Sequence, residues 1–199
     1  ACWTRRAQAE FLAISTFSVL TIDLVAAMAP ADVLSLSLRA GIDEVRHAEL
    51  CLRMIEIYSG KKVLPPPAMS SLPDDPKRPR LLQALANTML VSCVSETYAT
   101  TVLSATRDLT TDPTAKAVLT SIYSDEVMHA RLGWSYLRLA IEQGGQAAID
   151  EAASLWRPRL AHLPGDATTT ELGQRRYDLV FIGQLAHHLS AEQNRDLLR

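Results

Sequence analysis

Three cysteines, Cys2, Cys51 and Cys93, are too few and too irregularly spaced for a disulfide framework or a cysteine-rich metal cluster. Aromatic residues make up only 6% of the chain, and no segment convincingly alternates apolar and polar residues with the two-residue period of a strand. An excess of one charge is missing too. The formal net charge is −2 and the basic pairs Arg5-Arg6 and Lys77-Arg78 are too short to make a patch, so neither nucleic acid nor a membrane surface is an expected partner. The longest apolar run, Phe11 to Met28, is interrupted by Asp23 and dotted with Ser and Thr, which fits a buried bundle helix better than a membrane span. The pattern shows no secretory signal, and a reducing cytoplasm is the expected compartment. Ala1-Cys2-Trp3 reads as the end of something trimmed.

What the chain does have is helical periodicity and enough apolar residues, 48% of 199, to bury one substantial core. A first helix is expected from about Thr4 to Met28, with Glu10, Ile14, Phe17, Thr21, Leu24 and Met28 on one stripe. Asp32 is expected to cap a second, which runs to Tyr58 and stops at Gly60. Residues 61–79 hold six prolines, Pro65 to Pro67, Pro73, Pro76 and Pro79, and read as an extended crossover. A third helix covers Arg80 to Asp108, and Asp112-Pro113 opens a fourth that continues to Glu142. After Gly144-Gly145, Gln146 to Leu155 reads as a short helix broken at Arg157-Pro158, and Thr168 with Glu171 forms a capping box for a last one. The expected architecture is an all-α four-helix bundle over residues 1–143, with a long crossover between helices 2 and 3. A helical extension over 144–199 packs on it. Cys51 and Cys93 fall on apolar faces and read as buried packing residues.

The chemistry lies in a pattern that occurs twice: Glu44-Val45-Arg46-His47 and Glu126-Val127-Met128-His129, each preceded by an aspartate, Asp43 or Asp125. On a helix the i and i+3 side chains share a face, so each motif offers a carboxylate and an imidazole to one ion. Two such ions want a further glutamate from each remaining helix, and Glu10 and Glu96 supply them. In an antiparallel hairpin, residues at one height are equidistant from the turn. Glu10 and Glu44 have their midpoint at residue 27, and Glu96 and Glu126 at residue 111, each at or beside an expected turn. Each carboxylate then lies roughly 20–25 Å from its turn, so all four meet in one layer. Buried acids and imidazoles in that number are costly unless cations neutralise them. A carboxylate-rich set suits two iron ions, with manganese or a mixed manganese–iron pair as alternatives. Ser92, Cys93 and Thr100 lie near this layer and are candidate pocket-lining residues, and either His187 or His188 is a candidate to reach the site from the last helix. Arg46 and Arg131 can pair with the motif aspartates or face solvent.

With Glu10, Glu44, His47, Glu96, Glu126 and His129 in place, residues 4–143 resemble the ferritin-like di-iron carboxylate superfamily, which includes rubrerythrins, ferritins and di-iron oxidases and oxygenases. The stretch Asp43 to Cys51 with the proline-rich crossover looks like a bacterial group of ferritin-like-domain proteins. The resemblance implies that Glu44 and Glu126 bridge the metals, that Glu10 and Glu96 are terminal ligands, and that each metal has one histidine. It also implies that Asp43 orients His129 and Asp125 orients His47. No rubredoxin-type cysteine cluster is present and no further carboxylate stands one turn from Glu96, which argues against a rubrerythrin. The expected function is a non-haem di-iron oxidoreductase that uses O2 or peroxide on a small organic substrate, with an external electron donor and a homodimer as an allowed assembly. A ferroxidase or iron-storage protein and a non-catalytic partner subunit are the alternatives.

Overall fold

The computed structural model describes residues 2–63, 69–70 and 72–160. Every regular element among them is helical. Helix α1 spans Cys2–Ala26 and α2 spans Ala31–Ser59. The third rod is built from three consecutive pieces: α3 (Arg80–Thr88), a π-helical stretch (Met89–Glu96) and α4 (Thr97–Leu109). Helix α5 spans Pro113–Glu142 and α6 spans Gln146–Leu160. Helices α1 and α2 form one hairpin, the third rod and α5 form the other, and α1 packs on α3 while α2 packs on α5. This is the expected four-helix bundle with a long crossover after the second helix.

The ends follow local chemistry. Asp112 takes up the orphan donor of the first turn of α5, accepting from the Ala115 amide at 2.8 Å, with Pro113 at the first helical position. Gly60 closes α2 in the left-handed conformation, φ +67°. Two expectations need correction. Helix α1 stops at Ala26, so Met28 leaves the stripe, takes φ +55° and is 90% exposed. Asp32 is not the cap of α2: the helix begins at Ala31 after Pro30, and the Asp32 carboxylate accepts only from the adjacent Val33 amide. A carboxylate in the first turn still favours the helix through the dipole.

By its contacts the chain divides into two compact units, residues 1–153 and 154–199. The bundle unit therefore runs past residue 143 through the start of α6, whose Ala148, Ile149 and Ala152 pack on the main core. Helix α6 also continues through Arg157-Pro158, where a break was expected. The helix is described as far as Leu160, with Pro158 inside it. The capping box at Thr168 and Glu171, the last helix, and His187 and His188 lie outside the described residues.

Two apolar clusters fill the bundle, one around Phe17, Leu20, Leu24, Leu85 and Leu132 and one around Ala7, Cys51, Leu103, Leu119 and Ile122. Burying each large side chain contributes about 1.5–3 kcal/mol. A polar set crosses the first cluster: Asn87 Nδ2 donates to Asp23 Oδ2 at 2.7 Å and to the Pro73 carbonyl at 3.2 Å, and Gln83 Nε2 also donates to Pro73. These bonds tie the end of the crossover to the core. Burial raises the Asp23 carboxyl above its ordinary range, and the Asn87 amide counteracts it.

The π-helical stretch meets α5 at Gly133. A Cβ there would lie 2.6 Å from Cys93 Sγ and 2.7 Å from Ser92 Cβ, so only glycine lets the two backbones approach this closely. Gly133→Ala is expected to destabilise the fold by about 1–3 kcal/mol, measured by urea unfolding of the metal-free protein. An unchanged midpoint would mean the stretch yields without cost.

Candidate metal centre

Each bundle rod delivers one glutamate to a common layer, and the second and fourth add a histidine one turn later. Glu10, Glu44, His47, Glu96, Glu126 and His129 are all buried, none more than 6% exposed. Their ligand atoms form two overlapping quartets, Glu10, Glu44, His47 and Glu126 in one and Glu44, Glu96, Glu126 and His129 in the other. Within each quartet one potential ligand atom per residue lies within 4.8 Å of the others. Glu44 and Glu126 belong to both quartets, the position a carboxylate must hold to bridge two ions.

The imidazoles are aimed consistently. His47 Nδ1 lies 3.4 Å from Glu44, 3.5 Å from Glu126 and 3.9 Å from Glu10. His129 Nδ1 lies 3.0 Å from both Glu44 and Glu126. The outer nitrogens meet the motif aspartates: His47 Nε2 stands 3.0 Å from Asp125 and His129 Nε2 3.4 Å from Asp43. An Nε2–H donated to a carboxylate leaves the Nδ1 lone pair pointing at the glutamate layer. Arg46 is resolved as well, pairing with Asp125 and donating to Ser121 Oγ at 2.9 Å. Arg131 reaches only Met128 Sδ, at 3.9 Å.

The two aspartates are held unequally. Asp125 is gripped by Arg46, whereas Asp43 has the 80% exposed Arg39 at 4.0 Å. A cleft of about 280 Å³ lined by Arg39, Asp43, Asp125, Met128 and His129 opens beside the Asp43–His129 pair. At the other flank Arg6 donates to Glu10 Oε1 at 3.3 Å, a contact with no motif to announce it.

The donor set fits a pair of cations. Both Glu44 oxygens and His47 Nδ1 are buried without a hydrogen-bond partner, a costly arrangement unless something positive lies between them. Without metal, protons carry that charge. Burial, reinforced by the Glu44 and Glu126 charges, raises Glu10 well above its ordinary value; burial with Glu126 does the same to Glu96. Burial opposes protonation of the histidines, but the carboxylates of Glu126 and Glu44 close beside them outweigh it, lifting His47 to about 11 and His129 to about 10. Glu126 is pushed up by burial and pulled further down by His129, His47 and Glu96, ending below its ordinary range.

Of the candidate pocket residues, Ser92 is buried with its hydroxyl unpartnered, Cys93 is buried against Gly133, and the Thr100 hydroxyl donates back to the Glu96 carbonyl at 2.7 Å. Neither the cleft beside His129 nor a second one, lined by Trp3, Arg6, Tyr58 and Thr110, involves them. The π-helical turn ending at Glu96 was not legible, because i→i+5 bonding has no compositional signature.

No protein-family model matches this chain, and neither a curated protein nor a solved structure is significantly similar to it. The ferritin-like character therefore stands on the helical bundle and the two quartets alone.

The metal-free site dictates a pH dependence. Both histidines bind protons more tightly folded than unfolded, so their contribution is complete below the ordinary value of 6.5 and is lost as pH rises through about 10 to 11. Metal-free protein is expected to lose thermal stability steadily from pH 7 to pH 10, followed by circular dichroism. A rising Tm over that window would show that the histidines are neutral in the folded state.

Proposed function

We propose that the chain is a di-iron oxidoreductase that uses O2 or peroxide to oxidise a small organic substrate. The observation that carries this is the sharing of Glu44 and Glu126 between two buried Glu/His quartets. A single structural ion needs one quartet, and zinc does not call for four carboxylates. Two iron ions held by such a set would supply two electrons, enough to take O2 to the peroxide level or to cleave the O–O bond of a peroxide, and the external donor would supply the rest. Hard carboxylate ligands with two imidazoles suit iron or manganese, and the charges balance, since four glutamates oppose two divalent cations.

The chain's own residues prepare that centre. Glu44 and Glu126 would be shared by the two ions, with Glu10 and His47 completing one ligand set and Glu96 and His129 the other. Asp125 and Asp43 hold the imidazole tautomers, and Arg46 keeps Asp125 in place. Phe17 packs edge-on against His129 with ring centroids 5.3 Å apart, keeping bulk water from that ring. The cleft lined by Asp43, Asp125 and His129 brings solvent up to the outer aspartates. This function calls for an external electron donor and a substrate small enough to reach a bundle core. Iron oxidation for storage shares the ligands and differs in assembly.

Anaerobic titration with ferrous iron is expected to load about two ions per chain. Glu44→Ala removes a ligand common to both quartets and should leave fewer than one, while the exposed Glu49→Ala should load like the wild type. Loaded protein should then consume O2 repeatedly when re-reduced, as a small assembly. A large closed shell that accumulates many irons per chain would instead establish storage, and Glu44→Ala with full loading would refute the site.

A further inference from the structure

Helix α1 is apolar on a side against which none of the described residues packs closely. Its segment Trp3–Ala26 has a mean hydropathy of 1.7 over the most apolar window, yet only 28% of that window is buried. Ile22 and Val25 are 68% and 57% exposed. On α2 the flank facing outward next to α1 carries Leu38, Ile42 and Val45, exposed by 58%, 70% and 44%. Thr21 Oγ1 lies 2.7 Å from Ser37 Oγ, which fixes the helices side by side and joins the two rows into one surface. A solvated face at these positions would carry charges.

This one carries none from Ile22 and Val25 across to Leu38, Ile42 and Val45, and the exposed Glu49, one turn after Val45, bounds it. From Phe11 to Ala31 the only ionisable side chain is Asp23, and it is buried on the opposite side, bonded to Asn87. The charges of α2 between Arg39 and His47 sit on its other flank, around Asp43 and Asp125. Gly41 adds a separate sign. It stands mid-helix, where glycine costs roughly 0.5–1 kcal/mol relative to alanine. A Cβ there would meet Phe17 Cβ at an ordinary 3.7 Å, so no packing among the described residues requires a glycine.

We propose that the α1–α2 face is the interface of a homodimer, two copies meeting through the same surface about a two-fold axis. A second copy fits where a charged partner does not: an uncharged surface placed against itself meets no like-charge repulsion, and an isologous contact closes at two subunits. The face is roughly 20–25 Å long and two helices wide, on the order of 600–800 Å² of accessible surface. That approaches the ~800 Å² per partner of a stable interface. A bilayer is a poorer occupant, since α1 commits Glu10 and Asp23 to buried contacts within the bundle. The proposal is independent of metal binding.

Equilibrium sedimentation of the full chain at roughly 50 µM tests it. The expected mass is twice the 21.9 kDa of one chain. Ile42→Glu and Ile22→Glu should each give monomer with unchanged helical circular dichroism and iron loading. Ile57→Glu, at a residue 56% exposed but about three turns beyond Val45, should stay dimeric. A monomeric wild type overturns the proposal, whether Ile42→Glu then lowers Tm (a cover from within the chain) or abolishes binding to phosphatidylcholine vesicles (a lipid surface). A dimer that survives both Ile22→Glu and Ile42→Glu overturns it equally.

Discussion

Four carboxylates and two imidazoles share one dry layer of this bundle, and the rest of the structure is arranged around the cost of that. Removing so many ionisable groups from water is unfavourable by several kcal/mol for each uncompensated charge. Protons can neutralise the layer, as the raised Glu10, Glu96, His47 and His129 show. Two divalent cations do it better, because they also engage the Glu44 oxygens and His47 Nδ1 that no hydrogen bond reaches. Metal binding would therefore displace protons, which couples loading to pH.

The layer holds together because helical geometry places every donor twice over. The i, i+3 spacing sets each histidine above its glutamate, and the two hairpins bring the glutamates to one height. The supports outside are less symmetric. The cleft borders both outer aspartates, but on the His47 side Asp125 is clamped by Arg46, whereas on the His129 side Asp43 has only an exposed arginine at 4.0 Å. The two halves of the centre therefore differ in how firmly the outer aspartate is held.

Much of this was legible in the residues. Glu10 and Glu44 lie at equal distances from one turn, Glu96 and Glu126 from another, and the doubled Glu-x-x-His supplies the phase. Those are properties of spacing, and spacing survives into structure. What was not legible depends on packing between distant segments. Nothing in Met89–Glu96 announces π-helical bonding, which becomes visible only where Gly133 admits the third rod close to α5. Asp23 could be seen as an interruption of an apolar run, but its partner Asn87 is 64 positions away. The start of α2 was misread for a local reason: Pro30 supplies the break, so Asp32 is left inside the first turn.

The central claim is that the shared glutamates hold two ions and not one. Anomalous diffraction from crystals loaded with ferrous iron, recorded on both sides of the iron edge, measures this directly. Two iron peaks of similar height, about 3.5–4 Å apart and flanked on both sides by Glu44 and Glu126, are predicted. A single peak, or none between these carboxylates, would contradict it.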